Sequence, residues 1–223
     1  MIKDEKLILY VDDLIGRYPV LGGIRENIIS GYQIMEDSYT QGGKLLVAGN
    51  GGSAADSEHI VGELMKSFKF PRPISAELKD RLIRVSETAG RELANHLECV
   101  LTAIPLVAHE AFLTAFINDV DAESVFAQQL FGYGRAGDVF LAISTSGNSG
   151  NILNAVVTAK AMDIQVIGLT GQDGGKLEQY ADCMIKAPET ETYKVQELHL
   201  PIYHTLCMML EAHFFSGDGM SSH

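Results

Sequence analysis

The run V-F-L-A-I-S-T-S-G-N-S-G-N at 139–151 constrains this chain more than any other stretch. Its first five residues are apolar, several of them branched, and have the length of a buried strand. Ser144, Thr145, Ser146, Gly147, Asn148 and Ser149 follow at once, supplying hydroxyls, backbone N–H groups and a glycine's backbone freedom. Behind them Ile152, Leu153, Ala155, Val156, Ala159 and Met162 recur at helical spacing. Strand, hydroxyl-rich loop and helix N-terminus, in that order, make a unit that holds phosphate. An ordinary strand-to-helix turn needs one serine cap. Four hydroxyls in six residues exceed that need and favour an anion site.

Such a site must work here without bulk positive charge. The chain carries 17 basic and 29 acidic residues, a net charge of −12. It has no Lys/Arg cluster of the kind that grips a nucleic-acid backbone, so no nucleic-acid partner is expected. Phosphate must be met by hydroxyls and local dipoles. No apolar run reaches membrane-spanning length and the N-terminus has no signal-peptide pattern, so no membrane partner is expected either. Cys99, Cys183 and Cys207 lack C-x-x-C spacing and read as reduced structural thiols of a cytoplasmic protein.

A second strand, loop and helix unit precedes the first. A strand at 44–48 leads into Asn50, Gly51, Gly52 and Ser53, and a helix is expected over 54–68. The glycine pattern alone is a weak dinucleotide signal, and no ribose-binding acid follows at the required distance. His59 and Glu63 are four residues apart and share one helix face. The commoner use of such a pair is a surface hydrogen bond; the functional one is a metal-ligand pair or a base with its partner.

The remaining periodicity predicts two N-terminal helices within 5–40, with Leu7, Leu9, Val11, Leu14 and Ile15 on the face of the first. One or two amphipathic helices form an insertion near 70–99, with Ile74, Leu78, Leu82 and Val85 as one stripe. A short strand falls within 99–107, helices at 109–116 and 122–132 flank Asn118 and Asp119, and further strands fall at 165–170 and 183–187. A long helix over 192–215 carries Gln196, His199, His204 and His213, with Pro201 expected to bend it. Residues 216–223 read as a disordered tail. Strands alternating with helices imply a three-layer α/β/α sandwich on a mainly parallel five-stranded sheet, with both loops at its carboxyl edge.

Several motifs together carry a resemblance: G-N-G-G-S at 49–53, H-x-x-x-E at 59–63, N-D at 118–119, S-T-S-G-N-S at 144–149, L-T-G-x-D-G-G at 169–175 and Q-E-L-H-x-x-x-x-H at 196–204. The chain resembles the sugar isomerase (SIS) domain family, flavodoxin-like in fold, and within it the phosphoheptose isomerases. The likeness runs over 24–213 apart from the insertion. It implies a single SIS domain at 1–215, a cytoplasmic homotetramer with active sites between subunits, and a phosphorylated sugar as ligand. It places Asn50, Gly51, Gly52, Ser53, Asn118, Asp119 and Gln196 at the sugar and Ser144, Thr145, Ser146 and Ser149 at its phosphate. Glu63 and His204 are implied as the acid/base pair, with Glu63 also touching substrate. Zinc (Zn2+), in members that use it, is implied on His59, Glu63, Gln196 and His204.

The implied activity is an aldose–ketose isomerisation that converts sedoheptulose 7-phosphate to glycero-manno-heptose 7-phosphate through an enediol. The alternative is a non-catalytic SIS protein that binds a phosphosugar or a replication initiator. Such proteins tend to lose the helix glutamate and the late histidine, and this chain keeps Glu63 and His204. Two positions depart from the family pattern. Tyr193 stands where an acid often lies, and Ser67 where an arginine usually does, with Lys66 beside it as the nearest cation.

Overall fold

Five strands set the frame: β1 (Leu45–Ala48), β2 (Ala103–Pro105), β3 (Val139–Ile143), β4 (Gln165–Thr170) and β5 (Cys183–Lys186). They come from a computed structural model that describes residues 5–216. The tail expected at 216–223 therefore lies, apart from Ser216, outside the described residues. The strand order is β2-β1-β3-β4-β5, and every pairing is parallel. Parallel strands need crossovers, and the helices that make them cover both faces. The central strands are accordingly apolar throughout: all of β1 and β3 is buried, and all of β4 but Gln165.

The pleat divides these side chains between two cores. Leu45, Val47, Leu141 and Ile167 face one side, where they meet helices α1 (Glu5–Arg17), α2 (Arg25–Thr40), α3 (Gly52–Met65) and α9 (Thr192–Phe215). Leu46, Ala48, Phe140 and Val166 face the other, against α7 (Val125–Tyr133) and α8 (Gly150–Ala161). In α1, Leu7, Val11 and Leu14 are buried at helical spacing, whereas Leu9 is exposed. Two residues past Leu7 is about 200° around the helix, on the solvent side.

Other boundaries move for identifiable reasons. The helix expected from 54 begins at Gly52 and ends at Met65, short of the Phe70-Pro71 segment. Helix α6 (Glu110–Asp119) runs three residues beyond the expected end, so Asn118 and Asp119 form its last turn. Between β4 and β5 the chain makes a 3-10 turn over Gly175–Gln179. The insertion is a hairpin of α4 (Ala76–Val85) and α5 (Glu87–His96), crossing closely where Gly90 lies against the Leu82 backbone. Helix α4 buries none of its residues: of the expected stripe, Ile74 is buried ahead of the helix and Val85 is 88% exposed.

Two buried polar groups fasten α9 to the rest. His199 Nε2 donates to the Thr170 carbonyl at the end of β4, 3.1 Å away. Lower down, Arg72 and Glu211 form an ion pair at 2.9 Å with both side chains fully buried. Glu211 also accepts from the backbone N–H groups of Phe68 and Lys69. Arg72 donates to the carbonyls of Leu64 and Glu63, which are among the orphan acceptors at the end of α3. Helix α3 is thus capped by a side chain seven residues beyond its end, itself held by α9.

Both fastenings are testable. Burial holds the His199 imidazole down at about 4, below its ordinary range. The neutral ring belongs to the fold, so its stabilisation is complete above about pH 6.5 and is lost as pH falls toward 4. Urea unfolding should show about 2 kcal/mol less stability at pH 5 than at pH 7 from this group, a slope that His199→Gln removes. For the ion pair, Arg72→Met should cost about 3–5 kcal/mol, because Glu211 is left buried and unpaired. Unfolding midpoints of that variant close to wild type would mean that Arg72 is not the cap of α3.

Candidate active site

The strand order reverses between β1 and β3: β1 connects onward to β2 on one side, and β3 to β4 on the other. Loops leaving the carboxyl ends of β1 and β3 therefore border a crevice, the usual ligand position in such sheets. They are joined across it. Asn50 and Asn151 exchange two amide hydrogen bonds, each 2.9 Å.

The loop after β3 is stitched in place from several directions. Ser144 Oγ and Ser149 Oγ are 3.0 Å apart. Gly147 N–H donates to the Ser144 carbonyl, and Gly171 N–H to the Thr145 carbonyl. Asn148 bonds the Ser146 carbonyl through Nδ2 and accepts from Lys176 N–H through Oδ1. Gly147 has φ +64°, and a Cβ there would meet the Gly174 carbonyl at 2.0 Å, so only glycine serves. Ser149 occupies the N-cap of α8 without capping it by its side chain, being turned toward Ser144. The first-turn N–H groups of α8 and the hydroxyls of the loop thus share one corner, which is the chemistry an anion needs.

In the loop after β1, Gly51 has φ +58° and opens α3. Ser53 is buried in its first turn. Gln196 of α9 packs directly on Gly52, where a Cβ would lie 2.7 Å from its amide nitrogen. From there α3 and α9 run side by side in the same direction, with Tyr203 against Asp56 and His59, and His204 against His59. His59 Nε2 lies 3.3 Å from His204 Nε2 and 3.3 Å from Glu63 Oε1. Glu63 is largely covered, with 12% of its side chain exposed, and Lys66 reaches it at 3.0 Å. Burial first, then the neighbouring His59, holds His204 below its ordinary imidazole value, while Glu63 acts the other way. A pocket of about 350 Å3 opens beside His204, with Arg17 and Lys69 on its wall.

The structure thus brings His59, Glu63 and His204 together and sets Gln196 against the glycine loop. Asn118 and Asp119 stand apart: both are exposed, and among the described residues their side chains hydrogen-bond only each other, at 2.8 Å. Lys66 pairs with Glu63, and Ser67 bonds Glu98. Tyr193 is exposed. For a metal, the chemistry of two imidazoles and a carboxylate is suitable, and 3.3 Å is about the separation of two ligands on one tetrahedral zinc. Among the described residues, however, no group of three or more His, Cys, Asp or Glu side chains is closed into a metal-holding set. Sequence reasoning missed Tyr203, which touches His59, Asp56, which accepts from Tyr203, and Arg72 and Glu211 behind Glu63. The only sequence signal for the last pair is one acid in the apolar run C-M-M-L-E-A and one arginine between two prolines.

The chain is also similar to known proteins over most of its length. The SIS domain family matches residues 86–171. A phosphoheptose isomerase of Aneurinibacillus thermoaerophilus is 39% identical over 183 residues, covering 82% of this chain and 79% of its own. Phosphoheptose isomerase 2 of Campylobacter jejuni is 40% identical, covering 82% and 78%. The structure of phosphoheptose isomerase from Neisseria gonorrhoeae superposes with a TM-score of 0.71 at 30% identity, over 93% of this chain and 98% of that one. Likeness at this level over most of both chains shows that this chain belongs to the phosphoheptose isomerase family of SIS-domain proteins.

Proposed function

We propose that the chain is an aldose–ketose isomerase that converts sedoheptulose 7-phosphate to glycero-manno-heptose 7-phosphate. The observation that carries this reading is the cluster of His59 and Glu63, on the helix that leaves the glycine loop, with His204 of α9, while Asn50 and Asn151 tie that glycine loop to the unit that follows β3. One end of an extended sugar phosphate is held while the other is worked on.

In this reading Ser144, Thr145, Ser146 and Ser149 hold the phosphate, assisted by the N-terminus of α8. Asn50, Gly51, Gly52, Ser53, Gln196, Asn118 and Asp119 contact the opened sugar. Glu63 takes the proton from one carbon and returns it to its neighbour through an enediol, and His204 serves the hydroxyl protons. A neutral His204 suits that exchange, and its lowered proton affinity keeps it neutral at physiological pH. His59, Glu63, Gln196 and His204 would hold zinc, which when bound polarises the sugar carbonyl. We further place the enzyme in the cytoplasm as a homotetramer with active sites between subunits. Support comes from the uncovered α4–α5 hairpin, with Val85, Leu93 and Leu97 exposed. Among the described residues no helix is long and apolar enough to cross a membrane.

Two measurements test the reading. Glu63→Gln should lower turnover of sedoheptulose 7-phosphate by about 10²–10⁴-fold while calorimetric binding of the sugar phosphate stays within a few-fold. Unchanged turnover would remove Glu63 from the chemistry. Elemental analysis of purified protein should find about one zinc per subunit. If zinc is absent and added zinc neither binds nor alters turnover, the four-ligand set is wrong.

A further inference from the structure

His59 has contacts at both ring nitrogens, and the side away from Glu63 is the more informative. Its Nδ1 lies 3.0 Å from the hydroxyl of Tyr203, which is also 3.2 Å from Asp56 Oδ1. Tyr203 is buried, and its ring meets His59 edge to face with centroids 5.5 Å apart. Asp56 and His59 are three residues apart on α3 and so share a face. The second carboxyl oxygen of Asp56 is buried with no hydrogen-bond partner among the described residues. The bond from Tyr203 is therefore the one that satisfies this carboxyl group.

We propose that Asp56 and Tyr203 are positioning residues that fix the proton of neutral His59 on Nδ1 and so aim a bare Nε2 lone pair at Glu63 and His204. This rests on the isomerase reading only in assigning His59 to the working end of the site. The hydroxyl has one proton and two neighbours. An ionised carboxylate only accepts, so the O–H is directed at Asp56 Oδ1. The oxygen's lone pair then faces His59 Nδ1, which must carry the hydrogen. Nε2 is left without one. It faces His204 Nε2 and Glu63 Oε1, each at 3.3 Å, and the Glu63 contact is an ion-pair distance without a hydrogen bond. Lone pairs of His59 and Glu63 then converge on one point, where His204 N–H or a divalent cation is stabilised. Outer partners that set a histidine tautomer in this way commonly change metal affinity or activity about 10–100-fold.

The tautomer is read directly. Long-range proton–nitrogen NMR on the full-length, histidine-labelled protein, dialysed against chelator and held where the ring is neutral, distinguishes the protonated from the bare ring nitrogen. His59→Gln identifies the signal. Wild type should carry the proton on Nδ1. Tyr203→Phe should shift it toward Nε2, because Nδ1–H has lost its acceptor. Asp56→Ala should do the same, while Asp56→Asn, whose amide oxygen still accepts, should retain the wild-type pattern. Circular dichroism checks that each variant is folded. A wild-type proton on Nε2, or a Tyr203→Phe tautomer identical to wild type, overturns the proposal. Steady-state rates give the second readout. Tyr203→Phe should lower kcat on sedoheptulose 7-phosphate about 10-fold or more with KM nearly unchanged. A variant kcat equal to wild type also overturns it. A wild type with the Nδ1 tautomer but no turnover of any sugar phosphate would instead sink the isomerase reading and leave the tautomer assignment standing.

Discussion

The packing of α9 along α3 is the constraint from which the working end of this protein follows. Neither helix could define the site alone. Helix α3 brings Asp56, His59 and Glu63 on successive turns, and α9 brings Gln196, Tyr203 and His204 alongside them. Their alignment is fixed at two ends by different means. At the glycine loop it is marked by closeness, since the Gln196 amide lies directly on Gly52 and a larger residue there would displace that side chain. At the far end it is fixed by charge, through Arg72 and Glu211, which hold the last carbonyls of α3 and the chain that follows it. A buried ion pair is weak evidence for net stability, but it is selective about geometry, and here it sits directly behind Glu63.

The hydroxyl-rich loop after β3 obeys a different logic. A chain of net charge −12 repels anions at long range, so attraction has to be built locally and at short distance. In the proposed reading, backbone N–H groups at the start of α8 and the hydroxyls of Ser144 and Ser149 would provide it without a lysine or arginine in the loop. Rigidity then matters more than charge. The bonds that tie the loop to Gly171, Lys176 and Asn50 keep the dipoles aimed, so they need not be reorganised when an anion arrives.

Much of this was legible in the sequence, for a physical reason. The Val139–Ile143 strand, the Gln165–Thr170 strand and the Thr192–Phe215 helix coincide with the sequence reading because their burial is periodic or complete, and periodicity is a local signal. The hydroxyl-rich loop after β3 was legible because its hydroxyls lie within six residues. Tyr203 and Asp56 were not, being 147 positions apart, and nothing near either points to the other. The same holds for Arg72 and Glu211, 139 apart. The stripe on α4 was visible but misleading: it reports an apolar face without reporting that the rest of the described chain leaves that face open. The last turn of α6 shows the opposite limit, since motif likeness marked Asn118 and Asp119 while the fold leaves them outside the cluster.

The manner in which the α4–α5 hairpin is attached has its own consequence. Its entry and exit meet at a single antiparallel bridge between Pro73 and Glu98, reinforced where Cys99 N–H donates to the Arg72 carbonyl. An excursion whose two ends touch is topologically a closed loop, and its length can change without altering the path of the chain on either side. Segments of this kind are where a protein family diverges in size and acquires new surface while its reaction stays the same. The residues that close the loop are not free to drift in that way. Arg72 is the cap of α3, and Glu98 receives both the N–H and the hydroxyl of Ser67. The hairpin is thus exchangeable above its base, and the base is bound to the end of α3.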